Sequence, residues 1–320
     1  SITLLKKGLR NRRGHGIILM KLRREGMPLY EKSCRLCPRQ CGVNREAGER
    51  GYCKQGRLRV AKAMLHHWEE PVISGTGGSG AVFFAGCTLG CIFCQNETIS
   101  HDGQGHCVTP AQLRQIFENL IAQGAENIDL ITATHFLPEI LPALQPKLPV
   151  PVCYNCGGYE SVQTLQKLEG LVDVYLPDLK YADADLAARL SGARDYFPVA
   201  TAAIQEMARQ VGAPVMENGL LKKGVLIRHL ILPGQVENSL RVLDWIGETF
   251  APGEVLVSLM RQYTPTDRVR NLPPFDRMVT GEEYEAALSW MYLNDLQGFT
   301  QEAAAAGTDC VPDFSDWAPP

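Results

Sequence analysis

The sequence predicts an α/β fold: a partial (β/α)6 barrel with a small cysteine-rich N-terminal extension. Three observations lead there. From about residue 78, short continuous apolar runs alternate with longer amphipathic ones, the pattern of parallel strands buried beneath helices. No Gly-x-Gly-x-x-Gly fingerprint follows the first strand, which disfavours a doubly wound dinucleotide sheet. The chemically reactive motifs fall just after strands, where barrels of this kind place their chemistry.

The elements follow in order. Residues 1–30 carry eight Lys or Arg against one acid, Glu25, with nothing aromatic interleaved, so a solvated basic extension is expected rather than a nucleic-acid arm. Residues 31–77 are rich in Cys and Gly and weakly periodic. They form a segment too short for its own hydrophobic core, so metal would have to organise it. Residues 78–320 form the barrel and a C-terminal extension. Ala81–Ala85 reads as its first strand. Thr109 then caps a helix running to Gln123, with Pro110 in its first position. Asn127–Thr134 is the second strand and Phe136–Leu144 its helix. Pro151–Asn155 is the third, followed by a helix through Leu168. Val172–Leu176 is the fourth, with helices near 183–190 and 197–211. Val225–Leu232 is the fifth, followed by a helix at 236–249, and Glu254–Met260 is the sixth.

The chain has 320 residues, 45% of them hydrophobic, enough for one large core or a main domain with an appendage. No apolar run reaches the length of a membrane span, and the first residues do not read as a signal peptide, so a cytoplasmic protein is expected. In that compartment eleven cysteines are not expected to be disulfides. Four lie between Cys34 and Cys53 and three between Cys87 and Cys94, a clustering that points to metal.

Directly after the first strand stands Gly86-Cys87-Thr88-Leu89-Gly90-Cys91-Ile92-Phe93-Cys94-Gln95-Asn96. Three thiolates on one short loop can hold three irons of a cubane and leave the fourth iron open. Gly86 and Gly90 allow the loop to curl. Phe93 would pack beside a bound adenine, and Asn96 closes the same loop and joins the cofactor-binding set. A zinc knuckle is disfavoured, because zinc sites use C-x2-C pairs and four closed ligands. Cys34, Cys37, Cys41 and Cys53, by contrast, offer four thiolates and a closed site. Either zinc or an auxiliary [4Fe–4S] cluster suits them; the close triple Cys34–Cys37–Cys41, with Pro38 and a later fourth cysteine, favours Fe–S.

These motifs resemble the radical S-adenosylmethionine (SAM) signature. More narrowly, residues 30–315 resemble the Fe–S protein group related to pyruvate formate-lyase-activating enzymes. The carriers are Cys34–Asn44, Gly51-Tyr52-Cys53, Gly86–Asn96, Thr132–Phe136, Tyr175–Lys180 and Arg228–Gly234. The resemblance implies a partial barrel, a SAM-cleaving [4Fe–4S] cluster on Cys87, Cys91 and Cys94, and a flavodoxin- or ferredoxin-type electron donor. Activases of this kind carry Gly-Gly-Glu after the second strand for the SAM amino group. Here Thr132, Thr134 and His135 stand instead and are expected to take that role. Asn155 falls in a loop resembling the activases' third strand end. Asp178-Leu179-Lys180 resembles their fourth, implying Lys180 for the SAM carboxylate and Asp178 for ribose, a cation or substrate. Arg228, a charge inside an apolar strand, needs a partner: either the SAM carboxylate or a buried ion pair. His229 reads as a core histidine, Cys153 as core and Cys156 as pocket-lining.

The expected function is reductive cleavage of SAM to a 5′-deoxyadenosyl radical that takes hydrogen from a substrate, with a protein glycine as the leading choice. The alternatives are radical modification of another protein, peptide or small molecule, and a non-enzymatic electron-transfer or nucleic-acid module. Strand-end motifs shaped for a SAM-sized ligand favour the enzyme.

Overall fold

The computed structural model describes residues 29–301, 312–314 and 316–320. The basic extension up to residue 28, and Cys310, lie outside them. Ten strands form one sheet: β1 (Arg59–His66), β2 (Ser79–Phe84), β3 (His106–Cys107), β4 (Ile128–Ile131), β5 (Val152–Cys156), β6 (Val174–Pro177), β7 (Val215–Glu217), β8 (Leu220–Leu230), β9 (Leu256–Met260) and β10 (Gly298–Thr300). The helices are α1 (Pro71–Ser74), α2 (Glu97–Ser100), α3 (Pro110–Ala122), α4 (Leu137–Ala143), α5 (Val162–Leu165), α6 (Ala184–Ser191), α7 (Tyr196–Val211), α8 (Val236–Thr249) and α9 (Gly281–Leu293).

The strand order is β10-β9-β8-β6-β5-β4-β2-β1-β3, with β7 pairing β8, so the sheet is open at both edges and the barrel is partial. The six expected strands are β2, β4, β5, β6, β8 and β9, all parallel. A short seventh, β10, continues the parallel run beyond β9. The expected break at residue 77 is not a boundary of the sheet. β1 pairs antiparallel with β2 across its whole length, from Val60–Phe84 to His66–Ser79. Its Lys62 and two end charges had hidden it, because an edge-side strand keeps polar residues that blur the alternation.

Local signals explain the long helices. Thr109 and Gln112 form a reciprocal capping box, with Pro110 in the first turn. Leu113, Ile116, Phe117 and Leu120 then recur on one face of α3 and are buried. Strand side chains divide by parity. Leu130, Tyr154, Tyr175, Ile227 and Val257 face the helix layer and form the main core. Cys153, Val174, Leu176 and Leu226 face the lumen, where Val72 and Ile73 of α1 join them. Because α1 follows β1 and precedes β2, it closes the end of the barrel at which the parallel strands begin. No described helix is long and apolar enough to cross a membrane.

A titratable carboxyl is built into the outer layer. Glu160, almost fully buried, accepts from Thr134 Oγ1 at 2.7 Å and Tyr154 Oη at 3.3 Å. Burial raises its pKa from 4.5 to about 7, against the hydrogen bonds from Thr134, Tyr154 and Cys156. The native carboxyl therefore keeps its proton where the unfolded one has lost it. Stability should fall as pH rises from about 4.5 towards 7 and level off above. Glu160→Gln should cancel this loss. In urea unfolding across pH 4–8, the variant should gain on the wild type as pH rises; a constant difference would refute the assignment. Separately, Leu130→Ala empties a fully buried site and should cost about 2–5 kcal/mol in the same assay.

Candidate metal centre and cofactor site

The loop from Gly86 to Cys94 joins β2 to α2 at the C-terminal end of the parallel strands. Gly86 has φ +80°, and a Cβ there would lie 2.5 Å from the carbonyl oxygen of Cys53. Only glycine serves both the turn and this close approach. Cys91 Sγ accepts from Ser191 Oγ at 3.0 Å, Cys94 Sγ from Ser100 Oγ at 3.4 Å, and Cys87 Sγ from the Leu89 N–H at 3.4 Å. Donors are thus already aimed at the sulfurs. Burial pushes the Cys87 thiol up to about 12, and Cys91 and Cys94 add to the rise. Cys94 is raised by burial and Cys91, with the Ser100 hydrogen bond opposing. A cation placed among desolvated thiols favours their thiolate forms. The donor set therefore fits an iron–sulfur cluster.

The four N-terminal cysteines are also brought together. Cys34, Cys37 and Cys53 are buried and Cys41 is exposed. Gly51 leaves room for Cys41, whose Sγ would be 2.3 Å from a Cβ at that position. Burial raises Cys53, as do Cys34 and Cys41, while Arg45 opposes. Arg45 donates to Cys53 Sγ at 3.0 Å through Nη2 and to the His135 carbonyl through Nη1. Among the described residues, no three His, Cys, Asp or Glu side chains are gathered tightly enough for a single ion. A cubane takes its thiolates on separate irons and tolerates a wider set than one ion does.

The later strand ends carry a buried charge chain. Asp178, just past β6, accepts from Lys180 Nζ at 2.6 Å and from Arg228 Nε at 3.0 Å. Arg228 also donates to Glu69 Oε1 at 2.7 Å and to Asn155 Oδ1 at 2.6 Å. Asn155 in turn donates to Asp129 Oδ2 at 3.1 Å. Burial would raise the Asp178 pKa, but Arg228 and Lys180 outweigh it and hold the carboxylate below its ordinary range. Burial would also discharge Lys180; Asp178 and Cys91 prevail and keep it charged. Lys180 is thus a cation facing the cysteine loop.

Several expected roles change on this geometry. Of the two readings of Arg228, the structure selects the buried ion pair, since Asp178, Glu69 and Asn155 occupy its guanidinium. Asn155 is likewise committed to Arg228 and Asp129. Thr134 and His135 do not face a SAM site. β4 ends at Ile131, and a 3-10 turn over Thr134–Phe136 carries both into the outer layer, fully buried. There Thr134 serves Glu160, and His135 Nε2 meets the Ala85 carbonyl at 2.7 Å. Burial lowers the His135 pKa to about 3, so it is neutral. Phe93 packs into the core against Tyr263, ring centroids 5.8 Å apart, and offers no open face to adenine. Cys156 lies in the core beside Tyr154 rather than lining a pocket. His229 is a core histidine, held between the Leu179 carbonyl and Ser239 Oγ. Thr132 and Asn96 remain half-buried at the rim.

Sequence reasoning missed Asp129, Glu69, Glu70, Arg39 and Ser191. Asp129 had a visible signal, a charge in an apolar strand, like Arg228. Glu69 and Glu70 sit in a non-periodic stretch before α1, and only the fold carries them to Arg228 and Ser258.

The 4Fe-4S single cluster domain family matches residues 73–137, which span β2, the three-cysteine loop and β4. An uncharacterized protein of Methanocaldococcus jannaschii is 31% identical over 270 residues, covering 80% of this chain and 73% of that protein. Among solved structures, Streptococcus suis SuiB bound to S-adenosylmethionine aligns at 12% identity with a TM-score of 0.48, over 71% of this chain. This chain spans only 50% of that SuiB chain. Methylornithine synthase aligns at 14% identity and TM-score 0.48, over 69% of this chain and 70% of that one. The chain therefore belongs to one family with the methanogen protein, and its C-x3-C-x2-C loop lies inside the segment that matches a 4Fe-4S single cluster domain.

Proposed function

We propose that Cys87, Cys91 and Cys94 hold a [4Fe–4S] cluster with one open iron, that SAM binds over it, and that the protein uses the pair to take hydrogen from a protein glycine. The observation that carries the first two parts is the placing of Cys87, Cys91 and Cys94 on one short loop at the strand ends, with Lys180 beside it: the Leu89 side chain and Lys180 Cε both lie against Gly157. When bound, cluster and SAM supply reductive cleavage of the sulfonium C5′–S bond and hydrogen-atom abstraction. The chain's own residues hold and shield that chemistry. Ser191 and Ser100 donate to the Cys91 and Cys94 sulfurs. Lys180 presents an ammonium to the SAM carboxylate, and Asp178 fixes its direction. Thr132 and Asn96 supply polar groups at the rim. Residues 34–55 cover the loop and keep water from it.

The glycine substrate rests on the likeness of Asp178-Leu179-Lys180 to the activases. The same site suits another protein, peptide or small molecule, and a deuterated glycyl peptide distinguishes them by label in 5′-deoxyadenosine. The electron comes from a flavodoxin- or ferredoxin-type donor in the cytoplasm. The four-cysteine site holds an auxiliary [4Fe–4S] cluster, with zinc as the rival.

Cys91→Ala should abolish 5′-deoxyadenosine formation in anaerobically reconstituted, reduced protein, and unchanged formation would sink the proposal. Lys180→Met removes a charged hydrogen bond worth about 1.5–3 kcal/mol, so SAM should bind about ten- to a hundredfold more weakly. Equilibrium dialysis with labelled SAM measures this. Iron, sulfide and zinc analysis should return two clusters and no stoichiometric zinc; one zinc per chain would correct the second site.

A further inference from the structure

The two cysteine groups are 34 positions apart at their nearest, Cys53 and Cys87, yet they touch. The contact is made by residues that hold no metal in either reading. Arg39 lies between Cys37 and Cys41, in a tight turn where the Gln40 N–H meets the Cys37 carbonyl at 3.0 Å. Its guanidinium leaves that turn and crosses to the other group. Nε donates to the Thr88 carbonyl at 3.0 Å and Nη2 to the Leu89 carbonyl at 3.0 Å, both inside the three-cysteine loop. Nη2 also reaches the Ser191 carbonyl at 2.7 Å, and Nη1 the Gly192 carbonyl. Ser191 is the residue whose hydroxyl donates to Cys91 Sγ. One side chain therefore grips the loop that carries the thiolates and the helix end that hydrogen-bonds one of them.

Other contacts brace this grip. The Arg39 guanidinium carbon stacks 3.8 Å from the centroid of Tyr52 and 5.1 Å from that of Tyr159. Tyr52 Oη donates to the Leu89 carbonyl at 3.1 Å, and Tyr52 neighbours Cys53. The Cys53 carbonyl lies where a Cβ on residue 86 would clash with it, so Gly86 lets the two segments approach. A planar guanidinium can serve several carbonyls in fixed directions, which a lysine ammonium cannot match. Its base is the turn between Cys37 and Cys41, closed by the Gln40 N–H to the Cys37 carbonyl.

We propose that Arg39 is a positioning residue that transmits the metal state of the four-cysteine site to the three-cysteine loop. With the N-terminal site loaded, Arg39 holds Thr88, Leu89 and Ser191 so that Cys87, Cys91 and Cys94 keep their cluster geometry. When that site is empty, the anchor loosens and the loop releases its cluster faster. This rests on the reading that both groups bind metal.

The test follows the cluster that responds to SAM, since only a cluster with an open iron changes its electron paramagnetic resonance signal when SAM is added. The full-length reconstituted and reduced protein is challenged with a ferrous chelator, and decay of the SAM-responsive signal is timed. Arg39→Met should speed the decay at least about tenfold, and Arg39→Lys should fall between it and the wild type. Cys41→Ser, which unloads the N-terminal site, should speed it similarly. In the Cys41→Ser background, Arg39→Met should add less than about twofold, because the route it removes is already slack. Multiplicative effects of the two changes, or wild-type decay in Arg39→Met, would overturn the coupling. Circular dichroism melts of the metal-free forms should coincide; a lowered melt in both Arg39 variants would assign the residue to general stability instead. A wild type with no SAM-responsive signal would overturn the cluster reading itself, and the coupling with it.

Discussion

The strand-end chemistry depends on one buried carboxylate. Asp178 lies between Lys180 and Arg228 and accepts from both. Remove it, and Lys180 loses its carboxylate partner while Arg228 keeps only Glu69 as a hydrogen-bonded carboxylate, a loss of several kcal/mol by the general cost of unpaired buried charge. Glu69 and Asn155 complete the shell of Arg228, and through Asn155 the chain reaches Asp129. Two elements that the sequence separates widely, the stretch before α1 and the end of β8, are joined by this charge matching. It also directs Lys180 towards the cysteine loop.

On the proposed reading, metal binding and folding are coupled at the other pole of the site. Burial raises the pKa of Cys87, Cys94, Cys37 and Cys53, and neighbouring thiols raise it further. Deprotonating such a set is unfavourable until a cation enters. Binding energy is then partly folding energy, as in small metal-organised segments. The short, poorly periodic stretch around Cys34–Cys53 needs that contribution most.

Much of this was legible in the sequence, and the failures have physical reasons. The six parallel strands stood out because strands buried on both faces read as continuous apolar runs. The cysteine spacing drew attention to the loop after β2, because three thiols within eight residues share one short stretch of chain. Arg228 was visible as a charge in an apolar strand, although its partner was not, since Glu69 arrives through tertiary packing. β1 was hidden by its polar residues, and β10, three residues long, has no period to detect. Thr134 and His135 were misassigned for a single reason. The strand stops at Ile131, and the following 3-10 turn rotates the next side chains away from the lumen. Reactive residue types just after a strand point to a site only while the strand's alternation still holds.

The Arg39 clasp also imposes an order on biosynthesis. Its anchor, Cys37 to Cys41, leaves the ribosome first, and the loop it grips follows about fifty residues later. The carbonyls of Ser191 and Gly192, which complete the grip, come a further hundred residues on. By the time Ser191 is made, ten cysteines have been translated, seven of them in the two groups, and none is yet enclosed by the finished fold. The nascent chain therefore passes through a window, about a hundred residues of synthesis long, in which oxidants or competing metals can reach the cysteines.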